Sequence, residues 1–438
     1  MTDEYGIFAD ALRRLARRST VSSGPVLCVV ITCGVLFLVN RQSYIMHAIA
    51  GGYWDSLVTA ANSAIVIVGP SVAFGASWDI SALRQGCVFE YPHVRSSVRV
   101  LSRAVAPSLW AGLLGISLCW ALLLPHGRST FRASDAVVLC TGPVMVLGYA
   151  CLGAALGLLL PVLFACPLSL IIAYIWIVFP SAMEPMWLRH LNGYEDGCCT
   201  PTTMLSLRGV SASLVFACGA VGVLSLILCG VVHRQRTRIG RTATVSSIAV
   251  AMCTVAVAGT LAAPFGNYPV QIRADSLVCA VRENLRVCVW PENADQIASV
   301  SVRAHELATE LRSADYEVPR TVSESLLDED AWLVNAERFS SLTESEQRLI
   351  LASGLTAIDR TVDGCSLDEG ADSRYRAAAG WLEAKLQVGA QLAPKLGSSG
   401  ALSDNEYMNE LQRMPVREQA QWVSRMLREA QSRCAVGG

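Results

Sequence analysis

The sequence predicts an all-α polytopic membrane bundle of about seven transmembrane helices, followed by a small, mostly helical α+β extracytoplasmic domain. Apolar residues make up 53% of the 438-residue chain and charged residues only 16%, against about 25% in ordinary soluble proteins. The charges are also unevenly divided, since residues 1–265 hold 27 of the 71 charged residues. Seven apolar runs in that first part are long enough to cross a bilayer core of about 30 Å as helices, which takes about 20 residues each.

The predicted spans divide residues 21–265 as follows. They are Val21–Asn40, Leu57–Trp78, Ala104–Leu124, Ala136–Leu160, Val162–Met183, Val210–Val232 and Val245–Phe265. The fourth and fifth meet near Pro161 and Pro167 with almost no polar loop, because proline ends or kinks a helix; a broken pair of shorter helices is the alternative there. Ala48-Ile49-Ala50 resembles a signal-peptide cleavage site, but the preceding apolar run is long for a signal peptide. We therefore expect the first span to be retained.

The arginines set the expected orientation. Residues 1–265 contain 17 arginines and no lysine. With a cytoplasmic N-terminus, twelve of these arginines fall in inner segments and five in outer ones, as the positive-inside rule requires. Seven spans then place residues 266–438 outside the cytoplasm, and we expect the chain in the cell membrane. That domain has 18 basic and 26 acidic residues, a net charge of −8.

Residues 1–20 precede the first span and predict an amphipathic helix on the cytoplasmic membrane surface. Phe8, Leu12 and Leu15 share one helical face beside four arginines, a pattern typical of interfacial helices. The alternative is a basic flank that only fixes the topology.

Six of the sixteen cysteines fall on the predicted outer side, which favours disulfides in an oxidising compartment. Cys279 and Cys288 lie on two strand-like runs around the turn Arg282-Glu283-Asn284, so we predict that they pair across a hairpin. The pairing of Cys198, Cys199, Cys365 and Cys434 stays open, with Cys365–Cys434 as one possibility. Free thiols or a metal site are the alternatives.

The extracytoplasmic domain, residues 266–438, shows mainly helical periodicity after the hairpin. Thr343 followed by Glu346 predicts a capped helix start, and Tyr316–Val322 predicts a third strand. The helices are expected at 294–314, 344–359, 373–390, 404–413 and 416–433.

Catalytic signatures are absent from the sequence. There is no phosphate-binding loop Gly-x4-Gly-Lys-Ser/Thr and no Gly-x-Ser-x-Gly. His305-Glu306 begins a zinc-binding pattern, but Thr309 stands where the second histidine belongs. A sequence pI of about 6.6 gives no support for nucleic-acid binding. We therefore expect no enzymatic activity, cofactor or metal in this chain.

The spans also lack a clear ionisable residue in their interiors. Asp55, Asp79 and Asp135 fall at predicted span ends. A charge at mid-bilayer is costly and usually marks an ion path, so this pattern argues against a proton-coupled carrier. Gly153 and Gly157 predict close packing of the fourth span against a neighbour.

The inner loop 79–103 is the longest predicted cytoplasmic connection. Phe89, Glu90 and Tyr91 precede a break at Pro92, and Arg95 recurs with Arg99 at helical spacing. Aromatic anchors beside a charge are typical of small protein interfaces. The alternative is a solvated loop whose arginines serve the topology.

This layout resembles the permease subunit of an ATP-binding-cassette transporter of the type-2 export class. The resemblance covers residues 1–240: an N-terminal amphipathic helix, six spans, the loop 79–103, and an outer loop Glu184–Gly209 between the fifth and sixth spans. In that family the loop between the second and third spans docks on a separate cytoplasmic ATPase, and two permease subunits pair. By position the resemblance implies ATPase contacts at Phe89, Glu90, Tyr91, Arg95 and Arg99. The seventh span and the 266–438 domain depart from the family.

Two main functions follow as expectations. The first is a membrane-spanning permease subunit that exports a peptide, a lipid or another hydrophobic compound, surrounded by membrane lipid and energised by a separate ATPase. The alternative is a membrane-anchored extracytoplasmic binding or sensing protein without transport activity. A membrane peptidase is a third class, for which the sequence offers no catalytic group beyond His305.

Overall fold

The structure is a computed structural model, and it forms two compact units. It describes residues 23–49, 52–85, 97–194, 198–199, 201–232, 237–266, 268–327, 331–356, 369–386, 407, 409–411 and 413–435. The first unit, here called the membrane unit, ends at Cys198 and resumes over Leu205–Pro269. The second, the C-terminal unit, combines Cys199–Met204 with Val270–Gly438. The amphipathic helix expected over residues 1–20 lies outside the described residues.

Helices build the membrane unit. They are α1 (Gly24–Ile49), α2 (Trp54–Asn62), α3 (Ile65–Gln85), α4 (Ser97–Leu123), α5 (Ala133–Leu159), α6 (Val162–Val178), α7 (Leu207–Val232) and α8 (Thr237–Ala262). Short 3₁₀ turns cover Leu124–His126, Phe179–Ala182 and Met186–Leu191. The last of these lies in the outer loop Glu184–Gly209.

Six helical segments of the described chain are long and apolar enough to span a bilayer. They are Trp54–Gln85, Arg99–His126, Ala133–Leu159, Val162–Ala182, Leu207–Leu228 and Val245–Ala262. Gly24–Val39 is a shorter apolar helix and overlaps the first predicted span. The prediction of a helical membrane bundle is therefore confirmed, and the count of seven spans stays a prediction.

Proline separates the fourth and fifth predicted spans. α5 ends at Leu159, and Pro161 is the residue that precedes the first turn of α6. Pro167, by contrast, lies inside α6, and Pro70, Pro107 and Pro143 lie inside other helices. Membrane helices tolerate internal proline because neighbouring groups satisfy the freed carbonyl.

The surface of the membrane unit is apolar. Phe164, Ile171 and Ile175 on α6 are all about half exposed or more, and Phe37 on α1 is 68% exposed. Soluble proteins rarely leave such a continuous apolar face in water. This face agrees with a helix bundle that is surrounded by lipid.

Among the described residues, the core of the C-terminal unit is built from a four-stranded sheet and several helices. Strands β3 (Val278–Arg282), β4 (Leu285–Val289), β5 (Thr321–Ser323) and β6 (Trp332–Leu333) lie in that order. β3 and β4 are antiparallel, whereas β4–β5 and β5–β6 are parallel. The helices are α9 (Ile297–Ser313), α10 (Glu344–Leu355), α11 (Glu369–Leu386) and α12 (Val416–Ala435). The shared core contains Val287, Val322 and Trp332 from the strands, and Leu307 and Leu351 from the helices.

A separate two-stranded sheet pairs β1 (Thr203–Leu205) with β2 (Val270–Ile272). β1 comes from the predicted outer loop, so residues 266–438 do not contain the whole C-terminal unit. The Arg273 backbone N–H also donates to the Thr202 carbonyl over 2.9 Å.

Candidate functional site

Four of the five predicted ATPase contacts lie outside the described residues. Phe89, Glu90, Tyr91 and Arg95 fall in residues 86–96, so their predicted role stays a prediction. Arg99 lies in the first turn of α4 and is exposed. The structure does describe both stems of the loop, the end of α3 and the start of α4.

Asp79 joins three helices at the start of this loop. Its carboxylate accepts the Ser23 hydroxyl over 2.6 Å and the Ser23 backbone N–H over 3.2 Å, directly before α1. The Ser108 hydroxyl of α4 donates to the same carboxylate over 3.3 Å and lies 3.0 Å from the Ser23 hydroxyl. These three residues are called the Asp79 cluster. The carboxylate also faces the positive end of the α1 dipole, which favours its negative charge.

Two further side chains attach the end of α3 to the end of α5. Arg84 donates through Nη1 to the Leu158 carbonyl over 2.9 Å, and the Ser81 hydroxyl donates to the Gly157 carbonyl over 3.3 Å. Helix C-termini leave carbonyls unpaired, and a cation there is favoured by the helix dipole. One stem of the loop is therefore attached to α1, α4 and α5 by polar contacts.

Glycine allows α3 and α5 to approach each other closely. A Cβ at Gly153 would lie 2.1 Å from the Ala73 carbonyl oxygen, and one at Gly157 would lie 2.7 Å from the Ser77 carbonyl oxygen. Both contacts are to backbone, which cannot rotate away. The sequence pair Gly153 and Gly157 thus marks a close helix contact, as predicted.

A second polar cluster lies at the other end of the Trp54–Gln85 span. Asp55 is fully buried, and its Oδ2 accepts the Tyr53 hydroxyl over 2.6 Å, Arg132 Nη1 over 3.1 Å and the Leu205 backbone N–H over 3.1 Å. Asp135, also fully buried, accepts the Arg132 backbone N–H over 2.7 Å. These five residues are called the Asp55 cluster. Asp55 and Asp79 are 24 residues apart along the Trp54–Gln85 segment, a separation comparable with the number of residues that spans a bilayer core.

Sequence reasoning gave Asp55, Asp79 and Asp135 no role beyond span ends. The signal for a polar contact was the opposite charge of Arg132, which stands three residues before Asp135 and close to no other acidic residue in sequence. What the sequence does not reveal is that Asp55, 77 residues earlier, pairs with the same arginine.

The disulfide between Cys279 and Cys288 closes the β3–β4 hairpin, where the two residues lie directly opposite each other in the ladder. Cys198 and Cys199 are also disulfide-bonded. Cys365 and the side chain of Cys434 fall outside the described residues.

His305 pairs with a single carboxylate, that of Glu283. Its Nε2 lies 3.0 Å from Glu283. Within the described ranges no group of three or more histidine, cysteine, aspartate or glutamate side chains could hold a metal ion.

Two buried charged residues organise the C-terminal unit. Arg273 is 1% exposed, pairs with Glu292 over 2.7 Å and Asp275 over 2.8 Å, and stacks 4.1 Å from the Trp290 ring. Glu324 is also 1% exposed and accepts three donors, described next. Both residues tie the first strands to the segments that follow them.

Glu324, directly after β5, is held by groups that follow both neighbouring strands, β4 and β6. Its carboxylate accepts the Trp290 backbone N–H over 2.7 Å, the Ala336 backbone N–H over 2.8 Å and the Asn293 amide over 2.9 Å. Burial raises the pKa of Glu324 to about 7, although these three hydrogen bonds act in the opposite direction.

Comparison with known families gives one match, in the C-terminal unit. Residues 287–434 match the model of a domain of unknown function, DUF7224. No curated protein and no solved structure matches the chain. The chain is therefore a helical membrane protein whose C-terminal unit is similar to the DUF7224 domain.

Proposed function

We propose that this chain is the membrane-spanning permease subunit of an ATP-driven exporter, energised by a separate ATPase that docks on the loop 79–103. In this proposal the N-terminus is cytoplasmic, the C-terminal unit is extracytoplasmic, and a second permease subunit completes the bundle.

The Asp79 cluster and the Arg84 contact carry the proposal. A docking loop is useful only if its displacement reaches the helices. The end of α3 is attached to the start of α1 and to α4 through Asp79, and to the end of α5 through Arg84. Such polar attachments suit a rigid-body movement of several helices together.

The energy source follows from what the sequence lacks. The chain has no phosphate-binding loop, so ATP hydrolysis of that type requires a partner. The arginine-rich inner segments and the loop 79–103 supply charged and aromatic groups on the side where a cytoplasmic ATPase is found.

Co-purification tests the proposal. The tagged full-length chain is extracted from its own host in mild detergent, and bound proteins are identified by mass spectrometry. We expect an ATP-binding-cassette ATPase, and we expect Glu90→Arg to reduce its recovery at least tenfold. Glu184→Arg is the matched control, because it reverses the same charge at the exposed outer loop and should leave recovery unchanged. The proposal would be contradicted if no ATPase were recovered, or if the Glu90→Arg variant recovered as much ATPase as the wild type.

A second measurement separates docking from transmission. Asp79→Asn leaves the five predicted ATPase contacts of the loop intact but weakens the acceptor for Ser23 and Ser108. We expect this variant to retain the ATPase while the recovered complex hydrolyses ATP more slowly. An unchanged rate would mean that the Asp79 cluster does not transmit the movement.

One observation favours the alternative of an extracytoplasmic binding or sensing protein. The C-terminal unit has its own core and its own family match. A ligand that protects only the C-terminal unit from hydrogen exchange, in a chain that recovers no ATPase, would favour this alternative.

A further inference from the structure

The Asp55 cluster contains two carboxylates but one guanidinium group. Asp55 and Asp135 are both fully buried, in the first turns of α2 and α5. Their side chains are also hydrogen-bonded to each other. The helix dipoles favour negative charge at these positions, but two ionised carboxylates cannot form a hydrogen bond, because neither of them can donate. A hydrogen bond between the two side chains therefore requires a proton.

The surrounding donors indicate which of the two aspartates stays ionised. Oδ2 of Asp55 accepts the Tyr53 hydroxyl, Arg132 Nη1 and the Leu205 backbone N–H. Asp135 accepts the Arg132 backbone N–H through its own Oδ2. A guanidinium group and additional donors stabilise a carboxylate in its charged form, so the negative charge belongs on Asp55 and the proton on Asp135.

Two buried oxygen atoms point to the same proton. Among the described residues, neither Asp55 Oδ1 nor Asp135 Oδ1 receives a hydrogen bond from a donor group. Both side chains are closed to solvent, and a buried oxygen without a donor is rare in native proteins and costly. A proton on Asp135 Oδ1 that is donated to Asp55 Oδ1 gives both atoms a partner.

We propose that Asp55 and Asp135 form a proton-binding site, in which Asp135 carries one proton at neutral pH and donates it to Asp55. The cluster is then neutral, since the charges of Asp55 and Arg132 cancel. Release transfers the proton from Asp135 to water and changes no other covalent bond. It leaves two negative charges side by side in a buried site, where they repel each other, so the contact between α2 and α5 weakens at this end. Proton binding here is separate from the export proposed above and requires no ATPase.

The other charged groups around the pair leave this charge balance unchanged. Asp135 interacts electrostatically with Asp55 and Arg132, and the Tyr53 phenol is a neutral donor. Further titratable or charged side chains on the neighbouring segments, among the residues that the structure describes, are the buried Cys119 and the exposed His126, Arg128, Cys140 and Arg208. Exposed charges act weakly on a buried site, because water and salt screen them.

Infrared spectroscopy of the full-length chain in detergent detects the proton directly. A protonated carboxylic acid has a carbonyl band that a carboxylate lacks. We expect this band at about pH 7, where a solvent-exposed aspartate has lost its proton, and labelling with 4-¹³C-aspartate should shift it. All samples carry Glu324→Gln, because Glu324 also keeps a proton near this pH.

Substitutions assign the band to one residue. Asp135→Asn should remove the band, and it should keep the melting midpoint of the parent chain, because the amide can still donate to Asp55. The midpoint of the parent chain should fall as the pH is raised further and the proton is lost, whereas that of Asp135→Asn should not. Asp79→Asn is the matched control, since it removes the aspartate at the other end of the Trp54–Gln85 segment and should leave the band in place.

The outcomes are distinct. An aspartate band that is lost in Asp135→Asn and kept in Asp79→Asn supports the site. If Asp135→Asn does not fold, the labelled Asp79→Asn chain decides, since the band supports the site there and its absence overturns it. A band that persists in Asp135→Asn also overturns the site, and so does a chain without the band whose melting midpoint rises with Na⁺ but not with choline. No sample contains an ATPase, so a negative result here would not affect the co-purification that tests the proposed function.

Discussion

Replacing Gly153 by alanine should destabilise the membrane unit, whereas replacing Gly148, five residues earlier on α5, should not. The added methyl group at Gly153 would lie 2.1 Å from the Ala73 carbonyl oxygen. At Gly148 its nearest neighbour would be the Val221 Cγ2, at 3.7 Å, which is an ordinary contact. The two substitutions change the same helix by the same atoms, so their difference isolates the contact between α3 and α5.

The expected magnitude follows from two opposed terms. Alanine is favoured over glycine inside a helix by about 0.5–1 kcal/mol, and this term applies at both positions. Overpacking a close contact costs about 1–3 kcal/mol. The atom that faces Gly153 belongs to the Ala73 backbone and cannot rotate away, so Gly153→Ala should cost close to 3 kcal/mol. The two variants should therefore differ by about 3 kcal/mol, with Gly148→Ala at or above wild type.

Thermal unfolding of the full-length chain in detergent, scanned at one fixed rate, measures the difference. One kcal/mol shifts the midpoint by about 2–4 °C in a unit of 150–250 residues, so a gap of several degrees is expected. Equal midpoints for the two alanine variants would refute the close helix contact and the packing built on it.

The remaining predictions concern the polar groups. The unfolding free energy of the C-terminal unit should fall by about 3 kcal/mol as the pH rises from about 4.5 to about 7. In this range the folded unit keeps a proton on Glu324 that the unfolded chain has lost. Hydrogen exchange of the full chain, measured across this range, gives the slope. Thr343→Ala should destabilise the start of α10 by about 1 kcal/mol, because the Thr343 hydroxyl and Glu346 cap each other's backbone N–H groups, and amide exchange in α10 reports it. Asp55→Asn should lower the melting midpoint by the equivalent of about 3 kcal/mol, because Arg132 loses its charged partner.

Each of these predictions has a matched control. Glu324→Gln should abolish the pH slope, and the same slope in that variant would contradict the assignment. Ser353→Ala removes an exposed hydroxyl from the last turn of the same helix, far from the cap at Thr343, and should cost little. Arg208→Gln removes an exposed charge that donates to the Thr260 carbonyl, so a loss as large as that of Asp55→Asn would contradict a special role for the Asp55 cluster.

Local sequence patterns predicted the helices, because hydropathy and the residues that begin or end a helix are local properties of the sequence. The break at Pro161 and the cap at Thr343 both lie where the sequence indicated. The cross-strand position of Cys279 and Cys288 also followed from one short turn. The start of α9 was expected at residue 294 and lies at Ile297, because Pro291–Gln296 forms a 3₁₀ turn first.

Contacts between distant residues were not accessible in the same way. Asp55 meets a backbone N–H at Leu205, 150 residues away, and no spacing rule links the two. β6 is only two residues long, too short for any alternation to be visible. The expected third strand, Tyr316–Val322, reduces to Thr321–Ser323, since parallel pairing with β4 extends over three residues only.

The assembly of the C-terminal unit from two pieces of chain has a consequence for dividing the protein into fragments. The polypeptide passes between the units three times, after Cys198, after Met204 and after Pro269. A fragment that begins at Val270 would contain β2 without its partner strand β1, because β1 precedes α7 in the chain. A fragment that ends at Pro269 would keep β1 without β2, so neither fragment contains this sheet and the two units are interleaved in sequence.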